Sequence, residues 1–159
     1  DRMKTGVYNI TSEKNMFRPN TKQITIIDNQ TTVDTITLLP AFGGYTINTS
    51  PEAGATVFLD GNPIQKTTPY TIDRLNSGKH TVTVKKEWYQ PVTRNFNVID
   101  GNREVLNIEM QPTFGTLNIK AEYDADIIID GEKKANGTWE GRLISGWHII
   151  EAKKDKYIT

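Results

Sequence analysis

The 159-residue chain contains no cysteine, which excludes a disulfide framework and any thiolate metal site. It has two histidines, His80 and His148, and neither sits in a His-Glu spacing of the metallohydrolase kind. No sign of charge is in surplus: 19 basic and 19 acidic residues leave no electrostatic footprint for nucleic acid or an anionic membrane. No apolar run approaches the roughly 20 residues of a membrane-spanning helix. The opening DRMKTGVYNI lacks the apolar stretch of a signal peptide, so an exported protein would carry its signal upstream. Phosphate-cradling loops and G-x-S-x-G nucleophile patterns are missing too. No cofactor is expected, and no catalysis.

What the chain has is self-similarity. Shifted by 72 (Asp73 against Asp1), the stretch from Asp1 to Gly43 runs without a gap along Asp73 to Gly115. Gly6/Gly78, Pro19/Pro91, Asp28/Asp100, Pro40/Pro112 and Phe42-Gly43/Phe114-Gly115 all coincide. Further on, GGYTINTSPEAGATVFLDG matches GTLNIKAEYDADIIIDG, and RLNSGKHTVTVKKEWY matches RLISGWHIIEAKKDKY. These matches predict tandem repeats of about 70 residues. Residues 43–114 form a complete unit, 1–42 the back part of one before it, and 115–159 the front part of a divergent one after it.

The units read as all-β. YTINTS, TVFLDG, HTVTVKK, NFNVID and EVLNIEM alternate apolar and polar residues and are rich in β-branched ones. Asp60-Gly61 and Asp130-Gly131 predict hairpin turns, because Gly takes a positive φ freely and Asp tolerates one. Gly78 and Gly146 mark a second turn, and Gly101, answered by Asn29, a third. Short strands with turn signals between them, and essentially no helix, predict a small β-sandwich in each unit.

The complete unit resembles the PEGA domain. Pro51-Glu52-Ala53-Gly54-Ala55 carries the name-giving motif with one inserted Ala, and Asp60-Gly61, Thr68-Pro69, the Leu75–Gly78 turn and Tyr89 stand where that family has them. The following unit keeps Asp-Gly but has neither Pro-Glu nor Thr-Pro. The resemblance implies small prealbumin- or Ig-like sandwiches, usually in tandem, in bacterial cell-envelope or surface proteins. It implies a non-catalytic structural spacer or scaffold, an extracytoplasmic location, and partners that are other repeats of the parent chain or a neighbouring envelope protein. Nucleic acid and membrane insertion are not expected. The alternatives are a carbohydrate- or protein-binding adhesion module and an accessory region of a larger envelope enzyme.

Each chemical candidate can be weighed against the repeat. Asp60 recurs as Asp130, each before Gly, and reads as a turn residue rather than half of a carboxylate pair with Glu52. Glu52 and its kink are discarded by the next copy, so they read as a local surface feature. His80 and His148 are equivalent to each other and to Tyr8, an amphipathic strand position. Asp124, Asp126 and Asp130 open like a calcium loop, but a strand-like Ile127–Ile129 follows where further ligands belong. Phe17, Tyr89 and Tyr157 line up, as do Phe42 and Phe114, and both sets read as buried. Trp88 is answered by Met16 and Lys156, Trp147 by Lys79 and Val7, and Trp139 falls in the divergent loop. Positions that alternate Trp with Lys lie at the surface, so Trp88, Trp139 and Trp147 are the candidate ligand-binding residues, by stacking on a sugar face or a partner. The bland reading is that Trp88 and Trp147 pack at a strand edge or an inter-unit junction.

Lys85-Lys86, Lys133-Lys134 and Lys153-Lys154 read as solvated strand ends. Asp34-Thr35-Ile36 resembles the Asp-Thr/Ser-hydrophobe acceptor of O-glycosylation in exported bacterial proteins, which would make Thr35 the acceptor. Asn9, Asn29, Asn48 and Asn136 head N-x-S/T sequons that composition alone accounts for. The two terminal parts are expected to be completed by further chain on either side or by strands of another chain.

Overall fold

The structure, a computed structural model, describes residues 3–154. It is built of short strands; a single 3-10 turn, Glu122–Asp124, is the helical element among the described residues. Two compact units divide the chain. One runs up to Val84 and takes in Val92–Glu109; the other combines Lys85–Pro91 with Met110 onward.

The first unit opens with β1 (Gly6–Ser12), β2 (Phe17–Arg18), β3 (Asn20–Ile26) and β4 (Leu39–Pro40). β1 and β3 form an antiparallel ribbon, and β2 pairs with β4. Then follow β5 (Phe42–Ser50), β6 (Thr56–Leu59), β7 (Asn62–Thr67), β8 (Tyr70–Asn76), β9 (Gly78–Lys85), β10 (Val92–Val98) and β11 (Arg103–Glu109). These seven make two sheets, β11-β5-β8 and β10-β9-β6-β7. The chain changes sheet at the kink after β5, at Thr68-Pro69, at Ser77, and at the turn before β11. β5 and β11 run parallel, and the whole second sheet lies in the connection between them, which a parallel pair requires.

The period-2 pattern decides which side chains face inward. Tyr45 and Ile47 of β5 and Ile108 of β11 come from one sheet, and Val57, Val82, Val84 and Val98 from the other. All are buried, so the sandwich expected from the sequence is the observed fold. Tyr45 also ties the layers through its hydroxyl, which donates to the Glu104 carboxylate at 2.6 Å and lies 3.1 Å from the Asn97 carbonyl. Burial, and then Glu104, pushes the Tyr45 phenol up to about 12.

The second unit contains β12 (Phe114–Lys120), β13 (Asp126–Ile129), β14 (Glu132–Asn136), β15 (Thr138–Ile144) and β16 (Ile150–Lys153). β12 pairs with β15 as β5 does with β8, and β13 lies between β14 and β16 as β6 lies between β7 and β9. Ile127 and Ile129 are its buried centre.

The expectations for the aromatic pairs need correction. Tyr89 is buried, but Phe17, Phe42 and Phe114 are half-buried, and Tyr157 lies outside the described residues. Trp139 is not in a loop: it lies on β15, opposite Ile119 of β12.

The turn between β10 and β11 packs directly on β5. Gly101 donates to the Phe42 carbonyl and Gly44 to that of Asn102, both at 2.8 Å. A Cβ added at Gly43 would stand 2.6 Å from the Ile99 carbonyl oxygen and 2.9 Å from that of Asn102. The equivalent Gly115 has nothing within 4 Å. Gly43→Ala should therefore destabilise the protein by about 1–3 kcal/mol through overpacking against backbone. Gly115→Ala should stay within about 0.5 kcal/mol of the parent, as an open site allows. Paired urea denaturation curves check both; equal midpoints for the two variants would refute the close packing.

Candidate functional site

The Asp-Gly hairpins do more than turn the chain. Asp60 (φ 48°) and Gly61 (φ 79°) join β6 to β7, and Asp130 (φ 52°) and Gly131 (φ 83°) join β13 to β14. With both residues at positive φ, each Asp side chain is carried back toward the next strand. Asp60 Oδ1 accepts from the Thr81 amide at 2.8 Å, and its Oδ2 is 2.7 Å from His80 Nδ1. Asp130 repeats this with the Ile149 amide at 2.9 Å and His148 Nδ1 at 2.7 Å. The far ring nitrogens meet the carbonyls of Asn76, at 2.8 Å, and Ile144, at 2.6 Å. The equivalent Tyr8 reaches the Lys4 carbonyl at 2.9 Å, so the position caps the carbonyl four residues back in three places.

A carboxylate and a carbonyl only accept, so the His148 ring has an acceptor at each nitrogen. The Ile144 carbonyl first and Asp130 second raise the His148 pKa above its ordinary 6.5. Asp130 is held below the usual 3.8 by His148 and then by the Ile149 amide, and Asp60 by the Thr81 amide and then by His80. With Nε2 held by a backbone carbonyl, neither ring presents a free nitrogen to a substrate in this geometry.

The Pro-Glu kink is not merely a surface feature. Ala55 at its end is fully buried, and so is Thr68. The Thr68 hydroxyl lies 2.6 Å from that of Thr49 and accepts from the Ala55 amide at 3.1 Å. Its backbone bonds Gly54 and Ala55, and Thr49 donates to the Glu52 carbonyl at 2.8 Å. In the second unit Gly137 (φ 72°) stands in the place of Thr68; its amide donates to the Ala125 carbonyl as that of Thr68 does to Ala55, but its carbonyl accepts from Ala121, at the place of Thr49 rather than of Gly54. A Cβ there would lie 2.7 Å from Asp124 Oδ1. Pro-Glu and Thr68 are thus two halves of one corner, lost together in the second unit.

The three indoles have separate settings. Trp88 is half-buried and meets Phe114 edge-on, ring centres 6.4 Å apart. Trp139 is half-buried and folds over Gly141, where a Cβ would come within 2.4 Å of its ring. Trp147 is fully exposed, at 103%, beside the exposed Ile144 and Ile149. The structure does not bring them into one site.

Among the described residues, no group of three His, Cys, Asp or Glu could hold a metal ion. Asp126 is engaged by Asn136 and by Lys133, the latter at 2.9 Å, and Asp130 by His148. Thr35 lies outside any strand, and its amide donates to Asp34, which is paired with Lys22. No helix among the described residues is long and apolar enough to cross a membrane.

Residues 42–113 match the family model of the PEGA domain. No curated protein matches the chain. Among solved structures, the Bacillus anthracis TIE protein is similar at 14% identity and a TM-score of 0.42. The alignment covers 94% of this chain and 37% of that one, so the chain spans well under half of that protein's length.

Thr68→Val removes the hydroxyl and leaves the buried Ala55 amide without its partner, so it should cost about 1–3 kcal/mol in chemical denaturation. The folded pKa of His148 exceeds its ordinary value, so its contribution to stability is full below about 6.5 and is lost as pH rises through the folded pKa. That of Asp130 is present above about 3.8 and is lost as pH falls through its lowered pKa. The pair therefore contributes most between the two titrations. An NMR titration should place His148 above 6.5, and Asp130→Asn should bring it down toward that value. A His148 pKa at or below 6.5 in the parent protein would contradict the two-acceptor geometry.

Proposed function

We propose that the chain is part of a tandem array of PEGA-type β-sandwiches in a bacterial cell-envelope or surface protein, outside the cytoplasm, and that it acts as a non-catalytic spacer. The observation that carries this reading is a junction that occurs twice. Met16 (φ 63°) and Trp88 (φ 70°) are equivalent left-handed residues. The Met16 carbonyl accepts from the Ala41 amide and the Trp88 carbonyl from the Thr113 amide, both at 2.8 Å. The Ala41 and Thr113 carbonyls accept in turn from Ser77 at 3.0 Å and Ser145 at 2.9 Å. Phe17 and Tyr89 meet Phe42 and Phe114 edge-on at 5.7 and 5.8 Å. Arg74 and Arg142 lie over the same two Phe rings at 5.0 and 4.2 Å.

Such a junction, made of an edge-on aromatic pair, an arginine on the ring face and two backbone hydrogen bonds, suits a fixed connection better than a loose linker. Pro40 and Pro112, each two residues before the Phe, remove backbone freedom at the same place. The engaged His80 and His148 rings support the non-catalytic part of the reading.

A second reading, a glycan- or protein-binding module, is favoured by the full exposure of Trp147. Solution scattering separates the readings from one side. A spacer expects successive units to keep one mutual orientation, and Phe114→Ala to loosen it at a stability cost of roughly 1–3 kcal/mol, below that of a fully buried Phe. Freely jointed units in the parent protein would overturn the spacer. A glycan array with saturable binding lost on Trp147→Ala would establish the second reading.

A further inference from the structure

The sandwich of β5 to β11 ends on four sheet edges, β11 and β8 in one sheet and β10 and β7 in the other. An open edge is a template for another strand unless something in it prevents pairing. Three of the four are blunted. On β7, three residues stand against one of β6 between the pairs Thr56–Thr67 and Phe58–Pro63. Gln65 in that bulge is left-handed (φ 52°), and Pro63 offers no backbone N–H. On β8, Asp73 and Arg74 stand against Gly44 in a second bulge. β10 is regular, but Arg94 pairs with the buried Val82 and so sets a charge in the inward-facing series. β11 has none of these features. Its seven residues pair with β5 in unbroken register, without bulge, Pro or left-handed residue. Val105 to Ile108 are uncharged, and Glu104 is turned inward, where it accepts from the Tyr45 hydroxyl at 2.6 Å. Among the described residues β11 is hydrogen-bonded along one edge, by β5. β11 lies within the matched family segment, and the strands of this sandwich are all described, so the open edge is its own.

We propose that β11 is an interface for a second copy of this chain, added antiparallel and edge to edge. The strand is self-complementary in one register. With Leu106 on the two-fold axis, Arg103 falls opposite Glu109 of the copy and Val105 opposite Asn107. These four share the outward side with Thr46 and Asn48 of β5. By symmetry the Arg–Glu pair forms twice. Arg103 already holds Asp73 through Nη1 at 2.8 Å, and a guanidinium has donors to spare for a second carboxylate. On the inward side Leu106 meets its own counterpart. Val105, 60% exposed, gains a neighbour across the new ladder. The product is one continuous sheet of six strands, with β11 and its symmetry mate at the centre. Main-chain hydrogen bonds along the shared edge supply affinity, and the Arg–Glu pairs fix the register. A slip of two residues either way loses both of those pairs, and a slip of one sets outward residues against inward ones. This lateral contact does not rest on the spacer reading.

The test uses the whole 159-residue protein and sedimentation equilibrium. A reversible monomer–dimer equilibrium is expected, with half the chains paired at or below about 1 mM. Arg103→Glu and Glu109→Arg should each weaken it about tenfold, because each sets like charges opposite one another twice. The double variant restores unlike pairs and should recover the parent's dimerisation, which a merely structural effect of either change does not do. The chain has no cysteine, so the register can be read by disulfide formation. A mixture of Val105→Cys and Asn107→Cys proteins should cross-link faster than either protein alone, since these two positions face each other only across the axis. The proposal is overturned if the protein stays monomeric at about 1 mM. It is also overturned if Glu109→Arg dimerises as well as the parent, if the double variant fails to recover, or if the mixed cysteine proteins cross-link no faster than each alone. Self-association through any other edge gives the second and fourth of these results.

Discussion

The parallel pairing of β11 with β5 is the constraint on which the first unit depends. It sets Leu106 opposite the buried Ile47 and the buried Ile108 opposite Thr49, and brings the preceding turn down onto Gly43, where even a methyl group would meet carbonyl oxygens. It also demands that the other sheet be laid down first, since a parallel partner cannot follow a short turn. Residues 31–37 are equivalent to β11 and have the same high β-propensity, yet they form no strand, and Val33 is 88% exposed. Strand propensity is realised here by a partner edge and a covered face, not by the segment itself.

The turn aspartates show a second economy of the fold. A hairpin with two left-handed residues needs only Gly and a tolerant neighbour. Asp at the first position adds a carboxylate aimed at the adjoining strand, where it takes an amide and a histidine at once. The same logic governs the corner at Thr68, whose hydroxyl satisfies a buried amide that would otherwise be left unpaired. The second unit keeps the bond to the alanine that opens the next strand, through Gly137 and Ala125, but rounds the corner by a different path, a 3-10 turn. The two units share the strands on either side of the corner rather than the corner itself.

The sequence disclosed the strands, the Asp-Gly hairpins and the sandwich class, because alternation and turn chemistry are local signals. It did not disclose the parallel β5–β11 pair, since period-2 alternation is the same for either direction. The Asp60–His80 and Asp130–His148 contacts were hidden by distance along the chain, although one signal was present: both residues recur together in both units. Absence from the next copy makes the kink look dispensable, yet Ala55 at its end is fully buried. The loss of Thr68 in that same copy was the clue that the two belong to one corner. Trp139 was misplaced because β15 carries Gly141 in mid-strand, a residue that reads as a loop signal until the indole lying across it is seen.

Exposure of apolar side chains in the second unit has two distinct origins, and the alternation of β9 separates them. Val82 and His80 face inward, and Lys79 and Thr81 face outward. Ile150 takes the place of Val82, so a strand laid beside β16 would cover it. Trp147 and Ile149 take the places of Lys79 and Thr81, on the side that such a strand does not roof. In the first unit that outer face is polar, with Thr81 bonded to Asn95 and Thr83 facing Thr93 across the ladder. Trp147 and Ile149 are thus apolar where the first unit is polar, and both are exposed.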